Sequence, residues 1–86
     1  MSPPTMRFTY THHALAMLAE REIAREWVEQ TVLDPEAVEP DPKHPERQRA
    51  FRAVPERDGR IMRVVYVADG ETYRVITLFL DRGRRR

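Results

Sequence analysis

Ala24, Trp27, Val28, Thr31 and Val32 fall at positions i, i+3, i+4, i+7 and i+8, while Glu26, Glu29 and Gln30 occupy the opposite arc. That spacing places one apolar stripe on a 3.6-residue repeat and predicts an amphipathic helix, closed by Pro35, which cannot continue it. Upstream, Ala14, Leu15 and Leu18, with Met17 and Arg21 on a flank, form a shorter stripe of the same period. A first helix from about His12 to Glu22 follows. Thr9 and Thr11 are its candidate N-caps, because a threonine oxygen accepts from the unpaired amides of a first helical turn. His13 falls at the border of the stripe.

Beyond Pro35 the period changes. The run 34–46 holds four of the seven prolines and several acidic residues, which predicts a connector with a short edge strand around Ala37 to Glu39. Gln48 to Val54, Arg60 to Ala68 and Tyr73 to Leu80 are then rich in β-branched and aromatic residues and are separated by Asp58-Gly59 and Asp69-Gly70. These are the signals of an antiparallel meander. The last two runs are apolar on both faces, as central strands are, and two helices cover only one face of a sheet. The other face therefore needs a partner, a second copy of the chain, or its own larger side chains. The expected fold is α+β, with two N-terminal helices on one face of a three- to four-stranded antiparallel sheet. It forms a single domain over residues 8–81, with a loose N-terminus (1–7) and a basic C-terminal tail (82–86).

Composition narrows the function classes. The chain of 86 residues is sized for one core, and it has no cysteine, so thiolate metal sites and disulfides are excluded. A reducing, cytoplasmic setting fits. No segment has the length and apolarity of a membrane span, and the start lacks the pattern of a signal peptide. Residues 1–46 carry four basic and nine acidic side chains, and residues 47–86 carry eleven and five, so the C-terminal half suits an acidic partner. Asparagine is absent and arginine supplies fourteen of the fifteen basic residues. Thermophily and a GC-rich genome both account for that bias. Three glycines leave no room for a phosphate-cradling loop, so no nucleotide cofactor is expected. His12, His13 and His44 do not share a geometry suited to zinc, and no metal is expected.

Phe8-Thr9-Tyr10-Thr11-His12-His13-Ala14, Met17, Glu20-Arg21-Glu22-Ile23, Trp27-Val28 and Pro35, followed by Val64-Val65 and Val75-Ile76-Thr77-Leu78, resemble the uncharacterised DUF4258 family over about residues 8–81. Two positions depart from its pattern. Ala16 stands where a basic residue is common, and Glu22 replaces a glycine common between Arg and Ile. In size and in its helices-then-sheet order the family is similar to the RelE/ParE-like toxins of bacterial toxin–antitoxin pairs. That similarity implies RNA as a target and an antitoxin protein as a partner.

RNA cleavage without metal needs a base for the 2′-hydroxyl proton, an acid for the leaving oxygen and cations for the phosphate in flight. Histidine is the side chain whose ordinary titration lies nearest neutral pH, which makes His13 the candidate base. Arg63 and Arg74 are candidate cations and Thr77 a candidate hydrogen-bond donor, completing the catalytic set. Arg21, Arg49 and Tyr66, with Arg82, Arg84, Arg85 and Arg86 of the tail, are candidate nucleic-acid contacts. Each has a simpler reading. His13 is also readable as a capping or half-buried histidine, Arg21 as an ion-pair partner of a nearby glutamate, Thr77 as an ordinary strand former, and the strand arginines as solvated charges unless they converge on one face. Three readings stay open: a toxin-type endoribonuclease, a non-catalytic interaction module or homodimer, and a nucleic-acid-binding domain.

Overall fold

The computed structural model describes residues 7–85, with side chains to Asp81. It contains β1 (Arg7–Tyr10), α1 (His12–Glu20), α2 (Arg25–Leu33), β2 (Ala37–Pro40), β3 (Gln48–Val54), a 3₁₀ turn (Pro55–Arg57), β4 (Arg60–Asp69) and β5 (Thr72–Arg85). The strands form one sheet in the order β1-β5-β4-β3-β2. Both helices lie on one face, α1 along β5 and α2 across β3 and β4. No helix among the described residues is long and apolar enough to cross a membrane.

The α+β architecture is as expected, but the sheet is larger and mixed. β1 adds a fifth strand, and it runs parallel to β5, with Phe8 opposite Tyr73 and Tyr10 opposite Val75. Four residues beside an unpatterned terminus give too short an alternation to be read as a strand. Arg7 thus belongs to the sheet, and the rest of the expected loose terminus lies outside the described residues. The edge strand at Ala37–Pro40 and the β3 strand Gln48–Val54 match expectation. The backbone of β5 continues past Leu80 to Arg85, so the tail begins as strand, while the side chains of Arg82, Arg84 and Arg85 and all of Arg86 lie outside the described residues.

Helix ends have local causes. Thr11 is the N-cap of α1: its Oγ1 accepts from the amide of Ala14 at 3.1 Å and donates to the carbonyl of Ile76 at 2.8 Å. Its own amide donates to Val75 at 3.1 Å, so two bonds tie the start of α1 to β5. The helix stops two residues before the expected Glu22. Glu22 holds φ +53°, its amide donates to Ala19 and that of Ile23 donates to Leu18. This paired 5→2 and 6→1 pattern is a Schellman close, with Leu18 and Ile23 both in the core. At the hairpin into β4, Asp58 and Gly59 take φ +56° and +73°, the left-handed region that Asp-Gly suits.

Cross-strand partners share a face. Ala50, Val64 and Leu78 are mutually opposite and buried toward the helices, where Ala14, Leu18, Val28 and Val32 meet them. Trp27 packs against this core, and buried Thr31 satisfies its hydroxyl on the Trp27 carbonyl at 2.6 Å. On the opposite face Phe51, Ile61 and Val65 are also buried. Among the described residues no helix packs on that face. The Arg63 guanidinium, opposite both Phe51 and Phe79, stacks 4.1 Å from the Phe79 ring centroid.

Candidate functional site

The site begins with an irregularity in β5. Opposite β4 the register shifts between Val65 and Tyr66, so that Thr77 pairs with Val65 and Val75 with Tyr66. Ile76 is the extra residue of a bulge. Val75 and Leu78 are both fully buried toward the helices, which turns the intervening pair away from that core. Thr11 holds the carbonyl of Ile76, and one helical step later His13 reaches Thr77, with Nε2 and Oγ1 3.0 Å apart. The same cap that starts α1 therefore sets the position of the imidazole. His13 is exposed and does not cap the helix.

A cleft of about 540 Å³ opens at this contact, lined by Thr11, His13, Val67, Arg74 and Ile76, together with Glu46 and Arg47. Arg74 lies opposite Val67. It is exposed and shares the cleft lining with His13.

Glu46 and Arg47 arrive from the β2–β3 connector, where sequence reasoning saw a loop and no site. Asp41 organises it: Oδ1 accepts from the amides of Lys43 at 2.8 Å and His44 at 3.1 Å. The Asp41 amide donates to the Arg47 carbonyl at 2.9 Å, and the Arg47 amide to that of His44 at 2.8 Å. The Lys43 amide, helped by that of His44 and the charge of Arg49, holds the Asp41 carboxyl below the usual carboxylate range, with burial opposing it second only to the Lys43 bond. The signal that could have found this wall is Asp41-Pro42-Lys43-His44, in which an aspartate is placed to close a turn on the amides that follow it.

Among the named candidates, His13, Thr77 and Arg74 come together. Arg49 and Arg63 share their face of the sheet in adjacent rows, Arg49 opposite Val65 and Arg63 opposite Phe79. Neither lines the cleft. Arg49 sits 3.6 Å from Asp41 and 3.9 Å from Glu39, so much of its charge is spent on the connector. Tyr66 points to the helix face, edge-on to Tyr73 at 5.5 Å, and burial raises its phenol above the ordinary range. It cannot reach the same ligand as His13 without a rearrangement of the core. Arg21 is the C-cap of α1, at the far end of the helix from His13.

Elsewhere, Tyr10 donates to Glu29 at 2.9 Å, and burial together with that bond pushes its hydroxyl well above the usual tyrosine range. This pair ties β1 to α2, and neither residue lines the cleft. Among the described residues no group of three or more His, Cys, Asp or Glu side chains is placed to hold a metal ion.

The model of a domain of unknown function, DUF4258, matches residues 10–80, so the chain belongs to the DUF4258 family. The match spans both helices, β2 to β4 and β5 as far as Leu80. No curated protein and no solved structure matches the chain significantly.

Proposed function

We propose, from the premise of DUF4258 membership, that this domain is a toxin-type endoribonuclease that works without a metal at the His13 cleft. The observation that carries the reading is the 3.0 Å contact of His13 with Thr77 at a cleft that the exposed Arg74 also lines. A base, a group that orients it and a phosphate-binding cation thereby share one solvent-open pocket. The order of two helices before an antiparallel hairpin supports the analogy to RelE/ParE-like toxins at the level of fold. An antitoxin protein that masks the cleft is the partner such an activity requires.

In this mechanism Thr77 holds the imidazole and Arg74 and Arg47 bind the scissile phosphate. His13 takes the proton of the 2′-hydroxyl, whose oxygen attacks the adjacent phosphorus while the bond to the 5′ oxygen breaks. The leaving oxygen takes a proton from water, which reaches the exposed pocket, the hydroxide so formed takes the proton from His13 and restores the base, and the product keeps a 2′,3′-cyclic phosphate. The arginines serve the charge that grows on the phosphoryl oxygens.

Controlled expression of wild type and His13→Ala in a bacterial host tests the reading. Growth arrest with loss of RNA integrity is expected for wild type alone. Normal growth with intact RNA in both would remove it in favour of a non-catalytic interaction module.

A further inference from the structure

At the opposite end of the seam between α1 and β5 lies a second cleft, of about 660 Å³, lined by Met17, Arg21, Arg57, Arg60, Phe79 and Leu80. Its three cations come from three elements: the C-cap of α1, the 3₁₀ turn and the start of β4. Arg57 is fixed in place, donating to the carbonyls of Arg21 at 3.0 Å and Glu22 at 2.6 Å and lying over the Trp27 ring. The described lining contains no carboxylate.

The two clefts share the same walls. His13, Met17 and Arg21 are spaced i, i+4, i+8 and so form one stripe along α1. On β5, Arg74 and Ile76 line the first cleft, Thr77 touches His13, and Phe79 and Leu80 line the second. Eight helical residues separate His13 from Arg21, a distance of about 12 Å along the axis. A ligand held by one phosphate at Arg74 is too short to reach Arg21, and a strand with several phosphates spans both.

We infer that the α1–β5 seam is a binding track for single-stranded RNA, running from Arg74 and Arg47 past His13 to a second phosphate subsite at Arg21 and Arg60. This rests on the endoribonuclease reading and extends it from a cleavage pocket to a substrate of several nucleotides. Met17 and Leu80 give the second subsite an apolar floor on which a base can lie without hydrogen-bond readout, so the track is sequence-tolerant. Arg57, committed to the helix end, shapes the subsite and adds charge.

The test uses end-labelled 2′-O-methyl RNA, which lacks the attacking hydroxyl, as a dimer and an octamer, with binding read by fluorescence anisotropy across a salt series. The octamer is expected to bind at least about tenfold more tightly than the dimer. Arg21→Ala with Arg60→Ala is expected to remove that advantage and lower the salt slope by about 0.7, the share of one phosphate on a single strand. A parallel thermal melt confirms that the variant is folded, and Arg21→Lys with Arg60→Lys, which keeps the charge, is expected to keep most of the slope. Equal binding of dimer and octamer, or an unchanged slope in the alanine variant, overturns the track while leaving His13-dependent cleavage standing. Displacement of the octamer by poly-glutamate at equal charge assigns the seam to acidic polypeptides and overturns the RNA assignment. Absence of octamer binding together with absence of cleavage removes both the track and the reading beneath it.

Discussion

Glu22 stands in the left-handed region at φ +53°, where a Cβ crowds the following carbonyl and glycine carries no such cost. Its side chain makes none of the bonds that close α1, which come from the amides of Glu22 and Ile23. Glu22→Gly is therefore expected to stabilise the domain by about 1 kcal/mol, seen as a higher urea midpoint at unchanged slope. A lower midpoint would mean that the glutamate makes a compensating contact. This residue was a visible departure from the family pattern in the sequence, and the strain it carries explains why glycine is common there. Asp41 was less legible, since its role depends on amides of residues two and three positions on. Its carboxyl is held below the usual carboxylate range, so the loop order it provides is present above the unfolded pKa and is lost as pH falls through the folded one. The amide resonances of Lys43 and His44 are expected to move together at a pH below the ordinary aspartate range. Movement at the ordinary value would show that the carboxyl does not hold the turn.

At the scale of elements, the α1 cap carries both stability and site geometry. Thr11 gives its hydroxyl to Ile76 and accepts from Ala14. Thr11→Ala is expected to cost about 1–2 kcal/mol by chemical denaturation, and Thr11→Ser to recover most of it. A loss shared equally by both variants would point to the methyl group instead. Thr11 was one of two caps the sequence allowed, and helix periodicity could not choose between them. What decides is β1: Thr9 lies within that strand, opposite Arg74. The bulge at Ile76 was invisible for a related reason. Alternation of Val75, Thr77 and Phe79 fits a regular strand, and only the demand of the core for both Val75 and Leu78 forces the extra residue.

For the whole molecule, the two helices, the late hairpin and the two-sided apolar character of β4 and β5 were legible because each follows from a repeat of 3.6 or 2 along a continuous run. The parallel β1 and the placement of Glu46 and Arg47 were not, because both depend on contacts across most of the chain. The same holds for the arginines. Residue type alone marked Arg49, Arg63 and Arg74 alike, and the fold separates them: Arg49 is paired to Asp41 and Glu39, Arg63 is stacked on Phe79, and Arg74 stands at the cleft with His13. On the face that the two helices do not cover, Arg63 lies over the Phe79 ring, and Phe51, Ile61 and Val65 are buried. We place the proposed chemistry where the connector, β5 and α1 meet.

The most direct measurement incubates purified wild type and His13→Ala with a single-stranded RNA and its DNA counterpart in excess chelator, with products resolved by length and end group. The account predicts that wild type cuts the RNA to fragments ending in a 2′,3′-cyclic phosphate and leaves the DNA intact, while His13→Ala, with an unchanged melting curve, loses activity by about a hundredfold or more. RNA left whole by wild type, or cut equally well by the variant, would contradict it.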